Sequence, residues 1–156
     1  MLTTNRILIV DDHPMFRGAL RDFLSQEPDF QIVGEAGNIR DAIRSVGALS
    51  PQLVLTDLNM PDTHGVEAVT EIKRHYPNVM VLVISLHRDI EFKHGCRKAG
   101  ANGYIVKDAI DAELLDGIRT VLGGKTYLGA DAADAMVPDC VLEYAATDED
   151  RGCFVH

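Results

Sequence analysis

Several things are scarce in this chain of 156 residues, and each scarcity excludes a class of function. No apolar run approaches the roughly 20 residues that a bilayer-spanning helix needs, and the opening MLTTNRILIV is not a signal peptide. The expectation is therefore a cytoplasmic protein with no membrane partner. Cysteine occurs only at 96, 140 and 153, without CxxC spacing, which points to a reducing compartment and argues against a cysteine zinc site. Basic residues are outnumbered, 15 Lys and Arg against 24 Asp and Glu for a net charge of −9, so no basic footprint offers direct nucleic-acid binding. No Ser/Thr/Gly-rich phosphate loop follows the first apolar run, which counts against a flavin-binding module.

What is present is an ordinary globular composition, 46% hydrophobic and 25% charged, in one domain's worth of chain. Nearly continuous apolar runs stand at RILIV (6–10), FQIVG (30–34), QLVLT (52–56), VMVLVIS (79–85) and GYIV (103–106), the pattern of parallel strands buried on both faces. Helical spacing fills the gaps. Met15, Phe16, Ala19, Leu20, Phe23 and Leu24 follow Pro14, which is tolerated in a first turn. Asn38 can cap a helix whose face is Ile39, Ala42, Ile43, Val46 and Leu49. Val66, Val69, Ile72 and Tyr76 carry a third. A weaker fourth spans 88–99, with Gly95 costing it about 1 kcal/mol against Ala. Leu114, Leu115, Ile118, Val121 and Leu122 form a fifth, stopped by Gly123 and Gly124.

Strands alternating with helices over short connections predict an α/β fold, a five-stranded parallel sheet wrapped by five helices. The domain is expected to occupy 1–129. Residues 130–156 hold −6 of the net charge and no sustained period, and are expected to be an acidic tail.

Function in an open parallel sheet sits at the carboxyl ends of the strands. Asp11 and Asp12 follow the first strand, Asp57 the third, Ser85 and His87 the fourth, and Lys107 the fifth. Singly these are caps, turn residues or surface charges. Jointly they bring three carboxylates, a hydroxyl and an ammonium to one edge. Clustered carboxylates repel unless a hard cation neutralises them, and Mg²⁺ suits two carboxylates, a backbone carbonyl and waters. A phosphoryl group on Asp57 would then occupy Lys107 and Ser85, since aspartate is a covalent phosphoryl acceptor in some enzymes.

The motifs ILIVDDH, LVLTDLNMPDTHG, VLVISLHRD and AGANGYIVKD give the chain over about 5–129 a resemblance to the receiver domain of bacterial two-component response regulators. ISLH and the closing GGKTYL look like the branch named after the nitrate and nitrogen-fixation regulators. The resemblance implies a flavodoxin-like doubly wound sheet of order 2-1-3-4-5. It implies that Asp57 is the phosphoacceptor in a phosphorelay, taking its phosphoryl group from the phosphohistidine of a sensor histidine kinase. Mg²⁺ would be held by Asp12 directly, by Asp11 mostly through water, by Asp57 and by the backbone carbonyl of Asn59. Ser85 and Lys107 would bind the phosphoryl group, and Tyr104 would turn inward behind it. Asn59 and His87 would tune the lifetime of the acyl phosphate. The resemblance further implies a signalling phosphoacceptor rather than an enzyme, with partner or homodimer affinity switched through the fourth helix, fifth strand and fifth helix.

The chain departs from the family pattern in three places. Asp108 follows Lys107 where many receivers have a proline in a cis bond. Leu86 is bulky beside Ser85 and is expected to narrow access to Asp57. The 27 residues after 129 are too few and too acidic for the helix-turn-helix domain of this branch, so that domain is either cut away or natively lacking. Two rival functions are a receiver kept only for protein contact, and an Asp-nucleophile phosphohydrolase of the haloacid dehalogenase type. The second needs another Asp two residues after the nucleophile, where this chain has Asn59.

Overall fold

The five apolar runs become strands β1 (Asn5–Val10), β2 (Phe30–Ala36), β3 (Leu53–Thr56), β4 (Met80–Ser85) and β5 (Gly103–Val106). The computed structural model of the chain describes residues 4–63 and 65–129. All strand pairs are parallel, in the order β2-β1-β3-β4-β5. The helices are α1 (Pro14–Leu24), α2 (Ile39–Leu49), α3 (Glu67–His75), α4 (Ile90–Lys98) and α5 (Ile110–Leu122), the last entered through a 3-10 turn at Lys107–Ala109. The sequence pattern predicts the parallel sheet wrapped by helices, and the family resemblance implies its flavodoxin-like order; both are as observed.

The near-continuous hydrophobicity of the strands reflects burial on both faces. Leu8, Val10, Val54, Val81, Val83 and Tyr104 pack with Ala42, Val46, Ala68, Val69, Ile72 and Cys96. Their neighbours Ile7, Ile9, Leu53, Leu55, Leu82, Ile84 and Ile105 face the opposite way, onto Leu20, Leu24, Leu114, Ile118 and Val121. The helix signals act as read. Pro14 opens α1, Asn38 accepts the Asp41 N–H at 2.8 Å, and α5 stops at Gly123, with Gly124 at φ +90°.

Three local expectations need correction. Met15 is 89% exposed and Ala19 is exposed too, so α1 seats itself on Leu20 and Leu24 with Phe16 and Phe23 half-buried. Val66 and Tyr76 flank α3 rather than belonging to it, and α4 begins at Ile90 rather than 88. All peptide bonds among the described residues are trans, Lys107–Asp108 included. The expected acidic tail, with Cys140 and Cys153, lies outside the described residues.

Beyond α5, Tyr127 runs beside β5. Its carbonyl accepts the Tyr104 N–H at 2.7 Å, and its own N–H donates to the Asn102 carbonyl at 3.1 Å. Leu128 is buried with the core around Tyr104, and the Tyr127 hydroxyl donates to Glu113 of α5 at 2.9 Å.

Candidate functional site

Sheet register alone brings the acidic residues together. Val10 pairs with Thr56, so the residues that follow, Asp11 and Asp57, leave the sheet side by side. Each extends the ladder by one step: Asp11 N–H donates to the Ala36 carbonyl and Asp57 N–H to the Val10 carbonyl, both at 3.0 Å. Ser85 pairs with Val106, which sets Lys107 at the adjoining strand end.

The Lys107 ammonium donates to Asp57 Oδ2 at 3.0 Å and to Asp11 Oδ2 at 3.3 Å, and it lies 4.4 Å from the centre of the Phe16 ring. Asp11 and Asp57 are 2% and 3% exposed. Burial pulls the Lys107 pKa down, but the hydrogen bond and charge of Asp57, with Asp11 behind it, hold it above a lysine's ordinary value. Asp57 Oδ1 accepts the Asn59 N–H at 3.2 Å, while Asn59 itself is exposed. Asp11 Oδ1 accepts the His13 N–H at 2.8 Å. The His13 ring reaches both neighbours, its Nδ1 standing 3.1 Å from Asp11 Oδ1 and 2.9 Å from Asp12 Oδ1.

Asp11, Asp12, His13 and Asp57 therefore offer ligand atoms within 4.8 Å of one another. Three carboxylates against the Lys107 ammonium leave an excess of negative charge in a partly desolvated pocket. A divalent cation with a preference for oxygen relieves that excess, so the donor set fits Mg²⁺.

A second group adjoins the first. Ser85 is fully buried, and its Oγ accepts the His87 N–H at 3.1 Å. Tyr104 is buried and directed inward, its hydroxyl donating to the His87 carbonyl at 2.7 Å. Burial pushes the Tyr104 phenol up to about 12, with the Ser85 hydroxyl working the other way. The His87 ring stacks on Phe92, centroids 4.1 Å apart and planes 4° from parallel. Leu86, between Ser85 and His87 in the chain, is 61% exposed.

Thus Asp11, Asp57 and Lys107 are in direct contact, Asp12 joins through His13, and Ser85, His87 and Tyr104 are hydrogen-bonded to one another. Three participants were missed in the sequence. His13 could have been noticed, because it directly follows the aspartate pair. Phe16 fits the helical spacing of a core residue, which does not signal its contact with Lys107. Arg17, whose guanidinium donates to the Asp11 carbonyl, gave no signal.

The response regulator receiver domain family matches residues 7–119. The chain belongs to this family. Among curated proteins, the transcriptional regulatory protein DegU of Brevibacillus brevis is 35% identical over 123 residues, 79% of this chain and 52% of that protein. The nitrate/nitrite response regulator NarL of Escherichia coli K12 is 31% identical over 144 residues, 92% of this chain and 67% of that protein. The chain thus spans about half to two thirds of the length of these relatives. Among solved structures, a two-component response regulator of the LuxR family from Aurantimonas sp. SI85-9A1 superposes with a TM-score of 0.79 at 32% identity, covering 84% of this chain and 94% of that one. Receiver domains serve phosphorelay signalling, and those of this family are phosphorylated by histidine kinases, with some forming dimers. They bind Mg²⁺ at an acidic pocket, and Asp11, Asp12, His13 and Asp57 form an Asp-rich group here. Among the described residues of this receiver, no helix is long and apolar enough to cross a membrane.

Proposed function

We propose that this receiver takes a phosphoryl group on Asp57 from the phosphohistidine of a sensor histidine kinase, and that the acyl phosphate changes its affinity for a partner or a second copy. The observation that carries this reading is the Lys107 ammonium shared between the buried carboxylates of Asp57 and Asp11. A cation already held there stands within reach of a developing phosphoryl anion and need only shift a hydrogen bond to meet it.

In the transfer, an Asp57 oxygen forms a bond to phosphorus as the phosphorus–nitrogen bond of the donor breaks. Asn59 N–H steadies Oδ1, which fixes the carboxylate plane. Lys107 moves its hydrogen bond from the carboxylate to a phosphoryl oxygen, and the Ser85 hydroxyl gives its hydrogen to another. Mg²⁺, held by the carboxylates of Asp11, Asp12 and Asp57 and by the Asn59 carbonyl, would offset the negative charge of the pocket and of the phosphoryl group. His87 and Asn59 flank the acceptor and would set how readily water reaches the acyl phosphate. Because Ser85 and Tyr104 meet at His87, a pull on Ser85 reaches the loop leading to α4. The face of α4, β5 and α5 is where a change in partner affinity is expected. We assign this role to residues 1–129 of a cytoplasmic signalling protein that promotes only its own phosphorylation and dephosphorylation.

The test is intact-protein mass after incubation with a small-molecule phosphodonor and Mg²⁺, for wild type and Asp57→Asn. One added phosphoryl group that requires Mg²⁺ and vanishes in the variant supports the reading. No adduct from that donor or from a phosphorylated kinase would favour a receiver kept for protein contact alone.

A further inference from the structure

Arg17 makes two bonds that hold the acidic loop. From α1, its Nη1 donates to the main-chain carbonyl of Asp11, and its Nε donates to Glu35 Oε1 of β2 at 3.1 Å. Gly37 leaves it room, since a Cβ there would stand 3.3 Å from Nη1 and 3.9 Å from the Asp11 oxygen. Asp11 is thus held through its N–H by Ala36, through its carbonyl by Arg17, and through its carboxylate by the His13 N–H and the Lys107 ammonium. The peptide that joins Asp11 to Asp12 is the one whose carbonyl Arg17 grips, so the clamp sets the direction in which both carboxylates leave the chain. Neighbouring Arg21 also reaches Glu35, at 2.8 Å to Oε2. It supplies similar charge on the same helix, while its bond goes to Glu35 rather than to the loop.

We propose that Arg17 is a positioning residue for the divalent cation, holding Asp11 and Asp12 in the binding arrangement before the cation arrives; this rests on the reading that the acidic pocket takes Mg²⁺. Electrostatics alone predicts the reverse effect. Arg17 is a positive charge beside the acidic cluster, so a neutral side chain in its place would tighten cation binding if position did not matter. Groups that orient metal ligands from behind typically alter metal affinity by about tenfold or more when removed. A fork that bonds a carbonyl and a carboxylate together is also one that lysine does not reproduce.

The experiment is Mg²⁺ titration of the unphosphorylated chain, followed by calorimetry and amide chemical shifts, for wild type, Arg17→Gln, Arg17→Lys and Arg21→Gln. Thermal unfolding in metal-free buffer confirms that each is folded. The expected result is a roughly tenfold weaker Mg²⁺ affinity in both Arg17 variants, with Arg21→Gln equal to or tighter than wild type. Arg17→Lys keeps the charge and loses the fork, so it remains informative if Arg17→Gln does not fold. Unchanged or tighter binding in the Arg17 variants, with wild type binding Mg²⁺ normally, overturns the positioning role. Equal weakening in Arg21→Gln overturns it as well, because Glu35 alone would then be the common cause. No Mg²⁺ binding by folded wild type overturns the parent reading and this inference with it.

Discussion

Tyr104 donates its hydroxyl hydrogen to the main-chain carbonyl of His87, 2.7 Å away, so the fifth strand is tied to the loop that follows the fourth. Tyr104→Phe removes the donor and leaves that carbonyl unsatisfied, at a cost of about 1 kcal/mol in urea denaturation. The wild-type minus variant difference in phenolate absorbance isolates the Tyr104 titration, expected at about 12 rather than the ordinary 10.0. Its folded pKa is raised because burial disfavours the phenolate. The stabilising contribution is therefore complete below pH 10.0 and is lost as pH rises toward about 12. A difference titration centred on the ordinary value would show that Tyr104 faces water.

Lys107→Met keeps an apolar stem against Phe16 and removes the cation between Asp57 and Asp11. Two buried carboxylates then lose their partner, and a loss of roughly 3 kcal/mol is expected at neutral pH in metal-free buffer. Millimolar Mg²⁺ should restore more stability to the variant than it adds to wild type, because the ammonium no longer competes for the same oxygens. Equal stability of the two proteins without metal would mean that the ion pair contributes little.

Asp62 caps a helix that is distant in sequence: its carboxylate accepts the N–H groups of Ile39 at 2.8 Å and Arg40 at 3.0 Å, at the start of α2. Asp62→Ala should cost about 1 kcal/mol in thermal or urea unfolding. Burial opposes ionisation, but the two backbone donors prevail and hold the carboxyl below its ordinary 3.8. The folded pKa being lowered, the contribution is present above 3.8 and disappears as pH falls through the depressed value. Stability curves of wild type and variant should accordingly converge in acid, and parallel curves down to the acid transition would refute the cap.

Two glycines predict opposite signs. A Cβ on Gly95, inside α4, would meet Val66 Cγ1 at an ordinary 3.6 Å, so Gly95→Ala should stabilise by about 1 kcal/mol. A Cβ on Gly103 would stand 2.4 Å from Leu82 Cδ1 and 2.9 Å from Val121 Cγ2, so Gly103→Ala should destabilise by about 1–3 kcal/mol. Urea midpoints of the two variants decide this, and a shift of the same sign in both would contradict the packing.

The fold was legible because parallel strands buried on both faces write continuous apolar runs, and because caps such as Asn38 and stops such as Gly123 act within a few residues. The meeting of Asp11, Asp57 and Lys107 was legible for a topological reason, since residues that directly follow parallel strands must share an edge. Arg17 and Asp62 were not. Each acts on backbone groups brought near by the fold, Asp62 on a helix that begins 23 residues earlier, and no local pattern encodes such a bond. Met15 and Ala19 carry the helical spacing yet stand exposed, because apolar spacing marks one face of a helix and not how much of that face is covered.

The pairing of Tyr127 with β5 has a consequence for assembly. A parallel sheet exposes two flanks of unpaired amides and carbonyls, and each is a template for adding a foreign strand. Here the Asn102 carbonyl and the Tyr104 amide are already occupied. A strand from a second molecule that pairs with the start of β5 must displace Tyr127 before its own backbone can bind there. The sheet edges at β2 and β5 therefore differ, since the start of β5 carries a cover from its own chain.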